Sequence, residues 1–163
     1  MRQTGKAVIP NEPSAGNADV TARLINLSRA LRFAVLATLA KDGPHLSLVA
    51  LAITPDRDSV LFATPKKSEK YRNIKADKRV AILLDGSRGK AGGVLDGEAI
   101  SLNGTARVVG KGARREELAA ILEARHPELS EFLAAPTTAL VRIGVECATH
   151  VEGFQKITVL RRD

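Results

Sequence analysis

Cysteine, tryptophan and long apolar runs are scarce in this chain. Its 163 residues hold one cysteine, no tryptophan and only 3% aromatic residues. A lone cysteine, Cys147, excludes an internal disulfide framework. It sits in an alternating apolar stretch, which reads as a core thiol. No run approaches the roughly 20 apolar residues of a membrane-spanning helix. Residues 1–18 are polar, carry Pro10, Pro13 and Gly16, and lack the apolar segment of a signal peptide. They read as a flexible arm on a cytoplasmic protein with no membrane partner. The few aromatic faces disfavour single-strand nucleic-acid binding by base stacking. His45, His126 and His150 form no HExxH pattern and have no paired cysteines or clustered carboxylates with them, so no metal site is expected. No serine lies in a nucleophile elbow, and the glycines form neither GxGxxG after a strand nor a Walker sequence.

What the chain does have is positive charge, +7 at neutral pH with a pI near 9.9. Such a balance suits nucleic acid, an anionic surface or a phosphorylated ligand. Lys66, Lys67, Lys70, Arg72, Lys75, Lys78 and Arg79 cluster in sequence but point around a helix instead of along one face. That argues against a nucleic-acid partner. The length suits one domain, expected over residues 19–163, and folding at this size buries roughly 70% of the unfolded surface without staples.

Hydrophobic periodicity orders the elements. Val20, Leu24, Leu27 and Leu31 mark an amphipathic helix, with Asp19 able to cap its start. A strand is predicted over 33–40, a tight turn follows in which Asp42-Gly43 supplies the positive φ angles, and 45–54 returns as a strand apolar on both faces, expected at a buried central position. Residues 60–63 form a third strand. A short polar helix covers 68–76 with Tyr71 and Ile74 inward, and 80–84 is an apolar strand. Residues 85–97 are a glycine-rich loop. Alternation from Ile100 to Val108 predicts a long half-buried strand bent at Gly104. Helices at 114–125 and after Pro127 precede two last strands, 141–147 and 154–160. Hairpin-linked strands with inserted helices give a mainly β fold, a closed antiparallel barrel with added helices.

Two segments carry candidate chemistry. In the first, a strand ends at Thr64 and a helix starts near Ser68. Helix-start N–H groups attract phosphate, the Thr64 and Ser68 hydroxyls can donate to it, and Lys67 or Lys70 supplies counter-charge. The other reading is an ordinary N-cap beside solvated lysines. In the second, Asp42-Gly43-Pro44-His45-Leu46-Ser47-Leu48-Val49, a strand backbone can hydrogen-bond the edge of a flat heterocycle. His45 could bond a ligand there or be a plain structural histidine.

Four stretches, in order, resemble the pyridoxamine 5'-phosphate oxidase-like FMN-binding split-barrel superfamily. They are Phe33-Ala34-Val35-Leu36-Ala37-Thr38-Leu39 with the Asp42-Gly43-Pro44-His45-Leu46 turn, and Phe62-Ala63-Thr64 with Ser68-Glu69-Lys70-Tyr71-Arg72-Asn73-Ile74. The third is Ala76-Asp77-Lys78-Arg79-Val80-Ala81-Ile82-Leu83-Leu84, and the fourth Ile100-Ser101-Leu102-Asn103-Gly104-Thr105-Ala106. The resemblance implies a split barrel that binds flavin mononucleotide (FMN) as a homodimer, with flavins at the interface. It lays His45, Leu46, Ser47 and Leu48 along the flavin ring. It gives Thr64, Ser68 and Lys70 to the phosphate, with Lys67 and Asn73 nearby. It lets the partner subunit reach the flavin through Asn103 or the Phe154-Gln155 hairpin.

The implied activity is an oxidoreductase acting on a small-molecule redox substrate or electron donor. The flavin supplies the redox chemistry and the protein supplies orientation. A non-catalytic FMN carrier, or a relative binding haem or the deazaflavin F420, is the alternative. The chain ends Val159-Leu160-Arg161-Arg162-Asp163, without the Glu-Arg-Leu and terminal-proline signature of true pyridoxamine phosphate oxidases, which speaks against that substrate.

Overall fold

The computed structural model describes residues 16–87, 96–153 and 156–161. Its elements run α1 (Gly16–Ala30), β1 (Phe33–Ala40), β2 (Gly43–Ala50), β3 (Ala52–Ile53), β4 (Ser59–Pro65), α2 (Glu69–Ala76), β5 (Arg79–Asp85) and β6 (Glu98–Val108). Then come α3 (Ala113–Arg125), a 3-10 turn (Pro127–Leu129), α4 (Ser130–Ala134), β7 (Thr138–Glu152) and β8 (Lys156–Arg161). The helix at the start begins three residues before Asp19, so Asp19 lies in its first turn and is not its cap.

All the strand pairs are antiparallel, in the order β2-β1-β5-β6-β7-β4-β3, with β8 also on β7. The sheet curls until β2 approaches β4 without pairing with it, so the barrel is open and not closed as expected. Its inside is lined by residues such as Leu36, Phe62, Ile82, Ile100 and Leu102, closed off by Val20, Leu24 and Leu27 of α1. A second apolar cluster forms outside β4 and β7, where Leu118 and Leu122 of α3 and Leu133 of α4 cover Leu61 and Leu140. Arg125 joins the two halves: one of its terminal nitrogens donates to the carbonyls of Ser28, Arg29 and Leu31, satisfying the end of α1.

The bend expected at Gly104 is there. The β6–β7 register shifts between Asn103 and Gly104, and a β-carbon at Gly104 would lie 2.1 Å from the Gly144 carbonyl oxygen. Only glycine permits that approach.

Three expectations need correction. The first hairpin's loop is Lys41–Asp42, and Gly43 begins β2 with φ 140°, so the glycine rather than the aspartate takes the left-handed angle. The strand expected over 45–54 breaks at Leu51, and its main part, β2, is an edge strand with Leu46 64% and Leu48 70% exposed. Cys147 is half-buried and stands opposite exposed Asn103, not in the core.

Candidate functional site

Successive residues of a strand face opposite sides, and cross-strand partners share a side. The register therefore writes out whole rows across the sheet. One inner row runs Ser47, Leu36, Ile82, Leu102, Ala148, Leu160. An outer row runs Leu48, Val35, Leu83, Ser101, Thr149, Val159. A second outer row runs Leu46, Ala37, Ala81, Asn103, Cys147. On β2, then, His45 and Ser47 face in while Leu46 and Leu48 face out.

The inward side chains meet a polar cluster. Thr64, at the end of β4, is buried, and its hydroxyl lies 2.8 Å from that of Ser68. Ser68 caps α2 by accepting from the Tyr71 amide at 3.3 Å. The helix thus begins as the sequence predicts, with Glu69, Lys70 and Tyr71 in its first turn. Glu69 is turned to His45, whose Nε2 is 3.3 Å from its carboxylate. That contact draws the first-turn carboxylate toward β2. Lys67 is exposed and Lys70 half-buried. The Lys67 carbonyl accepts from Arg72 at 2.8 Å.

Asn73 is buried on the inner face of α2, next to Ile74, while Tyr71 is half-buried. The Asn73 amide donates to Thr38 Oγ1 at 3.0 Å, and the Thr38 hydroxyl points on to the His45 carbonyl at 3.5 Å. Asn73 therefore braces the helix against the strands. Thr38 and Glu69 drew no attention in the sequence, since neither spacing nor residue type sets them apart.

Three buried side-chain atoms have no hydrogen-bond partner in the protein: His45 Nδ1, Ser47 Oγ and Thr138 Oγ1. Leaving such an atom unpaired costs about 1–3 kcal/mol. Two of the three stand on the inner face of β2, about 7 Å apart along the strand. Thr138 is the cross-strand partner of Pro65, one residue past Thr64, and was also missed. A flat group with several donors and acceptors along its edge fits the β2 pair. An anion fits the Thr64, Ser68 and Lys70 corner, where α2 presents its N–H groups.

The structure thus links His45 and Asn73 through Thr38, Thr64 to Ser68, and His45 to Glu69, with Ser47 on the His45 face of β2 and Lys70 next to Glu69 on α2. Leu46 and Leu48 turn their side chains to the other face. Asn103 lies on that outer face too, three strands and about 14 Å from Leu46. Phe154 and Gln155 lie outside the described residues. His126 and His150 are buried elsewhere: His126 Nε2 meets the Leu51 carbonyl at 2.9 Å, and His150 Nε2 meets Glu98 at 3.0 Å. Among the described residues no group of histidines, cysteines and carboxylates could hold a metal ion. No helix there is long and apolar enough to cross a membrane.

Two surface clefts, of about 280 and 500 Å³, lie away from this cluster. Beside it, β2 is an edge strand, with no strand paired on its far side among the described residues.

A family model described as pyridoxamine 5'-phosphate oxidase matches residues 21–150. Solved structures share the fold. The heme binding protein from Mycobacterium smegmatis has a TM-score of 0.75 at 18% identity, over 92% of this chain and 59% of that one. ChuZ of Campylobacter jejuni has a TM-score of 0.76 at 18% identity, over 89% and 60%. General stress protein 26 from Bacillus anthracis has a TM-score of 0.65 at 18% identity, over 88% and 98%. The chain spans about three-fifths of the length of the first two. No curated protein matches it in sequence.

Proposed function

Because the chain belongs to the pyridoxamine 5'-phosphate oxidase family, we propose that it is an FMN-binding oxidoreductase working as a homodimer. The observation that carries this reading is the pairing of an anion corner with orphaned polar atoms on the neighbouring strand. Thr64, Ser68 and the start of α2 make the corner, and His45 and Ser47 carry the unpaired atoms. FMN presents these same two chemistries, a phosphate and a flat ring edged with donors and acceptors.

FMN, when bound, supplies the electron transfer. The protein's residues bind and orient. Ser68 and Thr64 turn their hydroxyls to phosphate oxygens, and Lys70 offsets the charge with Lys67 at the rim. Ser47 and His45 pair with the ring edge along β2. The Asn73–Thr38 link holds the phosphate helix and the ring strand at a fixed separation. These side chains are assigned binding, not proton transfer.

The other face of the sheet supports the dimeric reading. Leu46, Leu48, Phe33 and Leu83 are exposed there, a contiguous apolar surface. A second copy laid on it covers these side chains together with Asn103, which stands on the same face.

The test is a visible absorption spectrum of purified protein through gel filtration, before and after adding FMN. Flavin bands travelling with a dimer-sized peak support the proposal. No retained flavin and no spectral change overturn it. A Soret band would instead assign haem, the group named for the Mycobacterium smegmatis neighbour. Lys70→Ala is expected to weaken FMN binding by about 1–3 kcal/mol, the worth of a charge-assisted hydrogen bond.

A further inference from the structure

A charge anomaly stands on the outer face of β6 and β7. Arg107 and Arg142 are direct cross-strand partners, so their side chains leave the sheet side by side. Like charges so placed oppose strand pairing. Among the described residues neither arginine has an ion-pair partner; the carboxylate felt by Arg142, that of Asp56, is hydrogen-bonded by Thr54 and by the Asp58 amide.

Arg142 is also held. Its Nε donates to Ser59 Oγ at 2.7 Å, and Ser59 is fully buried. The inner nitrogen is thereby fixed, and the two terminal nitrogens have no partner among the described residues. They border a cleft of about 500 Å³ that Arg107, Thr105 and Gly144 also line, with the carboxylates of Asp58 and Glu146. Glu146 is taken by the Thr105 hydroxyl at 2.5 Å. A β-carbon at Gly144 would meet nothing within 4 Å, so the cleft's floor is open between the arginines and Thr105.

We propose that this cleft binds a small-molecule oxyanion, a phosphate or carboxylate group gripped between the Arg107 and Arg142 guanidiniums. Two planar forks on one space match the paired oxygens of such a group, and its charge relieves their mutual repulsion. The site is separate from the flavin corner. Ser59 lies about 17 Å along β4 from Thr64 and on the opposite face. The inference stands whether or not the chain binds flavin.

The test is a chemical-shift titration of the full chain with inorganic phosphate and, separately, acetate, following the amides of 105–107 and 142–146. Saturable shifts with phosphate assign a phosphate group, and shifts with acetate a carboxylate. Arg107→Ala and Arg142→Ala should each weaken binding roughly tenfold or more, as loss of a charge-assisted pair does. Arg142→Lys, which keeps charge but loses the fork, should weaken it several-fold. Gly144→Ala fills the floor without touching either arginine, and should weaken binding even if an arginine variant folds poorly. Lys70→Ala should leave these shifts unchanged. The proposal is overturned if neither anion shifts these amides, or if Lys70→Ala abolishes the response while the arginine and glycine variants keep it.

Discussion

The two faces of β2 invert the usual pattern. Its inner face carries His45 and Ser47, and its outer face carries Leu46 and Leu48, 64% and 70% exposed. Along the row that holds Ser47 the other strands contribute only apolar residues, Leu36, Ile82, Leu102, Ala148 and Leu160. A strand free to choose would turn its leucines inward, because a one-residue slip exchanges the faces. Register with β1 forbids that slip: Ala34, Leu36 and Thr38 are buried and fix which β2 residues stand beside them. The polar inner face is the one assigned to the proposed ligand, and the apolar outer face the one assigned to the proposed second chain.

Neighbours on β5 test the contrast most strongly. Ile82 is 1% exposed and Leu83 42%. Ile82→Ala should lower unfolding free energy by about 2–5 kcal/mol at any protein concentration. Leu83→Ala should cost less than about 1 kcal/mol in dilute solution, as surface changes do. Its effect should appear as easier dissociation of the proposed dimer. Urea unfolding of both variants at two protein concentrations checks this. Equal, concentration-independent losses would break the distinction between the faces.

Leu48→Asp should come next in size. It places a charge on the outer face, so gel filtration should move to monomer size with the circular dichroism spectrum unchanged. Flavin retention is expected to fall with the proposed dimer. A dimer that persists would put the interface elsewhere.

The smallest effect lies at the joint between α2 and β5. Hydrogen bonds from the Arg79 guanidinium and backbone hold the Asp77 carboxyl down at about 2. A depressed carboxylate stabilises the fold above its unfolded value, about 3.9, and loses that contribution as pH falls through about 2. Wild type should therefore exceed Asp77→Asn slightly in urea midpoint at pH 6, with the gap closing between pH 4 and pH 2. The pair is exposed, so the gap is small. A gap that widens on acidification would show that the pair does not act this way.

Much of this was legible in the chain. Strand β1 was readable to the residue, Ser68 was readable as the cap of α2, and Gly104 as a bend. Each depends on neighbours within a few positions: alternation, a hydroxyl before a helix, a glycine inside a strand. The Thr64–Ser68 contact was legible for the same reason, since the two residues are close in sequence. Thr38, Glu69 and Thr138 were not, because they join the cluster through β1, through a contact with His45 and through β7.

The sequence by itself determined most of the local elements and the antiparallel class. The tertiary structure decided that β2 lies at an edge, that its leucines face out, and that Arg107 stands against Arg142. Each of those depends on pairing between distant segments, and a chain's local pattern says which residues can share a face but not which strand will lie beside them.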